Sequence, residues 1–334
     1  MWIACARRLL MIAAVAVAAI AIGPGATAPA QAQEYPSKRI TIVVPIPPGG
    51  LVDAIARALG EWLSQSWGAT VIVENKPGGN FQLALGHVAR SAPDGYTLLV
   101  AMDGPFVVNP NLFSRLSYDP VGDFAPITSL VRYDLVLAAH PSVPADDIKG
   151  FIELARTKQG ALTYGSFGLG STANLFMQMF AQAAGVKMTP VQYQGVAPMI
   201  TDVVGGHVPA MWASVGQTLP LWQDNKLKVL GVGTARRVSH FPDVRTVAES
   251  GFPGFESNIW FGLFAPHGTP RPIIDKLHAE TRRAFGEPQF VERYLKPGFG
   301  EAMTNASPEA FAQFINADLK KWAELIRAAQ IKTE

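Results

Sequence analysis

The sequence predicts an α/β protein with two modest domains. Three observations carry that prediction. Strand-like and helix-like runs alternate from Ile40 onward. Runs such as Ile40–Val44 are continuously apolar or β-branched, the mark of strands buried on both faces. One unit of strand, glycine loop and helix occurs twice, in "ITIVVPIPPGGLVDAIARALGEWL" and in "LTYGSFGLGSTANLFMQMFAQAAGV". Apolar residues make up 49% of the 334, enough for buried sheets.

Residues 1–32 read as an export signal. Arg7 and Arg8 are its basic start, Leu9 to Ala21 its apolar run, and Ala30-Gln31-Ala32 its small-x-small cleavage site. The run is too short for a comfortable membrane span, so a mature start at Gln33 and a periplasmic location are expected. Cys5 is the only cysteine, so the mature chain is expected to hold no disulfide, thiol nucleophile or cysteine-bound metal. Loss of Arg7 and Arg8 brings the 28 basic residues level with the 26 acidic ones. A balanced charge gives no footing for nucleic acid or an anionic membrane.

Along the chain, Ile40–Val44 is the first strand, and Ile55, Leu59, Trp62 and Leu63 recur at helical spacing after it. Asp53 lies in that helix's first turn, where a carboxylate suits the dipole. Val71–Val73 and Tyr96–Met102 are the next strands. The chain is expected to cross to a second domain over 123–139. It then repeats its opening unit, with Gly185 as the helix stop. "HVPAMWASVGQTLP" and "LKVLGVGTARR" add further strand-and-loop units, and "GFPGFESNIWFGLFAP" returns the chain to the first domain. The expected division is 33–132 with 253–334, and 133–252. Two helices close the sequence. One carries Ile273, Ile274 and Leu277; the other is capped by Ser307-Pro308 and carries Phe311, Phe314, Ile315, Trp322, Leu325 and Ile326.

Two loops point to a ligand. In "PIPPGGLVD" the prolines have no N–H, but Gly49, Gly50, Leu51 and Val52 offer amides at an open helix N-terminus, where an anion can satisfy them. The Lys and Ser/Thr of a nucleotide-phosphate loop are missing. In "YGSFGLGSTAN", Gly165, Gly168 and Gly170 permit close backbone approach, while Ser166, Ser171, Thr172 and Asn174 supply polar side chains. The glycine spacing fits neither a dinucleotide fingerprint nor a nucleophile elbow. The six histidines show no zinc spacing, and the carboxylates form no recognisable catalytic pair. The reading is therefore a binder rather than an enzyme, with no cofactor and no metal. A periplasmic hydrolase acting between the two domains, a sensor protein and a purely structural envelope protein are the alternatives.

The ordered set "YPSKRITIVVPIPPGGLVDAIAR", "VIVENKPGGN", "APDGYTLLV", "YDPVGDFAPIT", "VGGHVPAMW", "FPDVRTVAESGFPGFE" and "WFGLFAPHGTP" resembles the Bug, or TctC-like, family. These are periplasmic solute-binding components of tripartite tricarboxylate transporters. The resemblance implies a periplasmic-binding-protein fold of type II kind, its two α/β domains joined by crossing strands and closing on a small ligand. It implies a carboxylate held by backbone amides and ordered water from both glycine loops, and a membrane permease as partner; a monomer is expected. Carried over by position, the first loop is Ile46, Pro47, Pro48, Gly49 and Gly50. The second supplies Ser166, Phe167, Gly168, Gly170, Ser171, Thr172 and Asn174. Asp103 and Gly104 open a third wall, and Trp212 and Ser214 lie on a fourth. The chain departs from the common pattern in several places. Asn174 replaces a frequent His, Gln194 a basic residue, Val196 a Gly, Ala213 an Asp, and Asp103 a Ser. An Asp103 carboxylate would disfavour a ligand carboxylate beside it and is expected to accept from an amine, amide or hydroxyl.

Overall fold

The computed structural model describes residues 35–158, 160–298, 300–328 and 331. The expected signal segment, Cys5 and the expected start at Gln33 lie outside the described residues. Among those described, no helix is long and apolar enough to cross a membrane.

The α/β reading holds. From Lys38 onward the chain forms one compact unit, built on a ten-stranded sheet. The first strands are β1 (Ile40–Val44), β2 (Val71–Asn75) and β3 (Thr97–Met102), with helices α1 (Leu51–Trp67) and α2 (Gln82–Ala89) between them. β1 pairs in parallel with both β2 and β3. Short helical turns α3 (Gly104–Val107) and α4 (Asn109–Leu112) lead to β4 (Phe124–Ala139), a single strand of 16 residues.

The next stretch holds α5 (Ile148–Lys158), β5 (Thr163–Ser166), α6 (Thr172–Ala183), β6 (Thr189–Gln192), α7 (Val196–Val204), β7 (Ala210–Ser214), α8 (Val215–Gln223) and β8 (Lys228–Val232). The chain returns as β9 (Asn258–Pro266), followed by α9 (Arg271–Gly286), α10 (Pro288–Phe290), the two-residue β10 (Glu301–Ala302) and α11 (Pro308–Ala328).

β4 explains why a long crossing segment is needed. Phe124 to Asp134 pair antiparallel with β9, whereas Leu135 to Ala139 pair with β7 and Val136 to Ala139 with β8. One strand thus belongs to two strand sets, β2-β1-β3-β9 on one side and β7-β5-β6 on the other. Its burial is nearly continuous, as a strand covered on both faces requires. Register shifts between Pro126 and Thr128, and between Ser129 and Val131, are bulges that bend it along its length.

The helix predictions hold in detail. Ile55, Leu59 and Leu63 of α1 are buried, and the helix stops at Gly68, whose φ of 64° is left-handed. In α11, Phe311, Ile315, Trp322 and Ile326 are buried, and Ser307 Oγ accepts from the Ala310 amide.

Candidate functional site

The PIPPGG turn is braced from beneath. Gly49 adopts φ +94°, a left-handed conformation suited to glycine, and its amide donates to Asp53 Oδ2 at 3.0 Å. The same carboxylate accepts from Arg57 Nη2 at 2.9 Å, Arg57 Nε at 3.1 Å and Asn75 Nδ2 at 2.9 Å. Asn75 Nδ2 also donates to the Ile46 carbonyl. Burial alone would raise the Asp53 carboxyl; the hydrogen bonds from Arg57, Gly49 and Asn75 outweigh it and hold the group below its ordinary range. Gly49 therefore spends its amide inside the turn. Among the described residues, no protein acceptor serves the amides of Gly50, Leu51 or Val52.

Leu51 and Val52, the first two residues of α1, border an apolar cavity of about 510 Å³ that includes its open mouth. Three further helices begin on the same cavity. Ser171 caps α6 by accepting from the Asn174 amide, and Ser171, Thr172 and Ala173 line the wall. Ser214 caps α8 by accepting from the Gln217 amide, and both residues line the wall. Val196, the first residue of α7, completes the set. Helix starts carry unpaired amides and partial positive charge. The remaining lining is apolar, including Met102, Leu135, Ile259 and Phe261, and no lining side chain is charged. Trp212 also lines the cavity, and its buried Nε1 has no hydrogen-bond partner among the described residues.

Of the residues predicted for the site, Ile46, Phe167, Ser171, Thr172, Trp212 and Ser214 border this cavity. Pro47, Pro48, Gly49 and Gly50 shape the turn beside it. Ser166 Oγ bonds to Gln192 Oε1 and the Gly168 carbonyl. Asn174 accepts from Tyr164 and donates to the Leu169 carbonyl, so it braces the second loop. Gly104 and Gly170 serve each other: a Cβ on Gly104 would stand 2.4 Å from the Gly170 carbonyl oxygen. Gln217 was missed, and Val196 was noted only as a departure from the family pattern. The helix start at Val196 follows an uncapped glycine, so side-chain chemistry gave no signal there.

Asp103 is placed differently from the expected ligand acceptor. It is 1% exposed and lies off the cavity wall. Its Oδ1 accepts from the Gly104 amide at 2.7 Å and from Thr172 Oγ1 at 3.0 Å, tying the end of β3 to the start of α6. Burial, then the like charge of Asp318, pushes its carboxyl well above the usual range, against the hydrogen bonds from Thr172 and Gly104. A carboxyl raised in the folded state stabilises the fold below its unfolded pKa and loses that contribution as pH rises through the folded one. Asp103→Asn keeps the acceptor and removes the buried charge. It is expected to be more stable than the parent at pH 8 by about 1–4 kcal/mol, the gap closing as pH falls toward about 4. Urea unfolding across that range is the measurement; a parent more stable than the variant at pH 8 would show that the ionised form is the one the fold holds.

The family described as "Tripartite tricarboxylate transporter family receptor", TctC, matches residues 55–331. The chain belongs to this family. The TctC match spans every element from within α1 to the end of α11, and with it all the helix starts on the cavity except that of α1. A relative from Pseudomonas sp. (strain P51), the "UPF0065 protein in tcbD-tcbE intergenic region", is 36% identical over 297 residues, 87% of this chain and 86% of its own. The solved periplasmic binding protein BugD is 34% identical, with a TM-score of 0.84, covering 90% of this TctC chain and 100% of BugD. The R. palustris protein Rpa4515, solved with adipate, is 30% identical, with a TM-score of 0.85 and the same coverage.

Proposed function

We propose that this receptor captures a small carboxylate in the periplasm, in the cavity between α1, α6, α7 and α8, and passes it to a tripartite-type membrane permease. It acts by binding and closure, without turnover. The observation that carries the reading is the convergence of four helix starts on a cavity whose wall holds no charged side chain. A carboxylate matches such a place, because unpaired amides and helix dipoles supply the positive potential that no Lys or Arg provides. The adipate carried by Rpa4515 is a carboxylate, the chemistry that these helix starts suit. The unpartnered Trp212 Nε1 offers one more donor.

The closing bodies in this reading are 33–132 with 253–334 on one side and 133–252 on the other. Hydrogen bonds already span that division, from Thr172 to Asp103 and from the Leu169 amide to Asn80 Oδ1. A solute touching both sides would favour the closed state.

The test is a thermal-shift screen of the full chain over acetate, succinate, adipate, benzoate and matched neutral amides. An acid at 100 times its dissociation constant adds about 2.7 kcal/mol of stability. Acids are expected to raise the melting temperature and to be recovered unchanged, whereas the amides should not. Failure of every acid, or conversion of one into product, would defeat the proposal.

A further inference from the structure

A second cleft, about 930 Å³ with its open mouth, adjoins the first at Phe167 and is called the outer cleft below. Its character is different: Asn80, Gln192, Tyr193 and Gln194 line it, with Phe81 and Gly168. Among the described residues, the two linings share one side chain, that of Phe167. Its inner side belongs with the packing around Met199 and Met211.

The backbone around Phe167 is held on both sides. Ser166 Oγ is hydrogen-bonded to Gln192, and the Leu169 amide donates to Asn80 Oδ1. Gly168 adopts φ +136° and lies so near Phe81 that a Cβ there would be 3.3 Å from the Phe81 ring. The loop is thus anchored, and Phe167 is the described residue that borders both the apolar space and the more polar one.

We propose that Phe167 sets the length of acid that the inner cavity accepts and limits entry to it, with the outer cleft receiving the polar far end of longer acids once the ring is removed. This rests on the carboxylate reading of the inner cavity. With the acid's head at the helix starts and its body along the apolar wall, chain growth ends at the ring. Each methylene that finds apolar cover adds about fourfold in affinity, so affinity should climb with length and then fall where the ring is met.

Two readouts separate this claim from the carboxylate reading. The first needs no ligand. In a full chain carrying Cys5→Ser and Ser214→Cys, the sole thiol lies on the inner wall at the start of α8, where a thiolate is favoured. Adding Phe167→Ala should speed its reaction with fluorescein maleimide by at least about tenfold, and its reaction with the smaller methyl methanethiosulfonate far less. The second readout is the melting shift with straight-chain dicarboxylates from succinate to sebacate, using chains that keep Ser214. Phe167→Ala should move the tightest-binding acid to a longer chain, and Phe167→Leu, which keeps apolar cover if the alanine variant folds poorly, should fall between. Unchanged labelling together with an unchanged length order overturns the proposal. Faster labelling with the same length order overturns the length claim. Faster labelling with no acid binding to either chain defeats the carboxylate reading and leaves the partition by Phe167 standing.

Discussion

Gly50→Val is expected to weaken acid binding by about a hundredfold or more, equivalent to about 2.7 kcal/mol, while the fold persists. Gly50 has φ −81° and ψ 165°, extended backbone that valine adopts without strain. The obstacle is steric. A Cβ at Gly50 would stand 2.5 Å from Ile46 Cδ1, the far end of a side chain that can rotate. Ile46 lines the cavity and is 4% exposed, so relief would move it within the space the ligand needs. The valine branches would also screen the amides of Leu51 and Val52. Gly49→Ala is the paired control. Its Cβ would meet nothing within 4 Å, but φ +94° places alanine in a left-handed conformation, costing about 1–3 kcal/mol. Calorimetry with the best acid and melting by circular dichroism should separate the two. Gly50→Val should lose affinity at near-parental stability, and Gly49→Ala should lose stability first. Normal binding by Gly50→Val would reduce the turn to a plain strand-to-helix connector.

Gly104→Ala is expected to lower stability by about 1–3 kcal/mol or more through overpacking, and to weaken acid binding as well. Its Cβ would lie 2.4 Å from the Gly170 carbonyl oxygen and 3.5 Å from the Ser171 Cα. These are backbone atoms, which cannot rotate away as a side-chain end can. Alanine otherwise suits a helix better than glycine, so a loss would come from the contact alone. The contact joins the end of β3 to the loop that starts α6, beside the Asp103–Thr172 hydrogen bond. Relief requires those two segments to separate. Small-angle scattering should therefore show a larger radius of gyration for Gly104→Ala with saturating acid than for the parent. Gly286→Ala is the control, since a Cβ at Gly286 would meet nothing within 4 Å and the change should stabilise by about 0.4–1 kcal/mol. Parental stability and an unchanged profile for Gly104→Ala would show that the two loops can part without cost.

Much of this was legible because it is local. A continuous apolar run before a proline-glycine turn gave β1, and apolar spacing gave α1 and α11, since burial on one stripe needs only the helical period. Ser307 and Gly185 act at the helix ends where their chemistry placed them. The Asp53 clamp was half-legible. Asp53 and Arg57 stand four apart on a helix, but Asn75 joins them from the end of β2, 22 residues on from Asp53.

By itself, then, the sequence determined the layered α/β class and its two strand, glycine-loop and helix units. Periodicity, turn chemistry and the absence of a catalytic motif are written within short windows. Only the tertiary structure decided how the loop residues divide their labour. Ser171 and Thr172 face the cavity, while Asn174, two positions on, holds its own loop. Gly49 supports a carboxylate of its own chain, and Asp103, which chemistry alone would offer to a ligand, is spent on Gly104 and Thr172. Hydrogen-bonding capacity belongs to a residue type, but which partner fills it is set by what packing brings within 3 Å. That follows from pairings between segments as distant as Asp103 and Thr172, which no local pattern encodes.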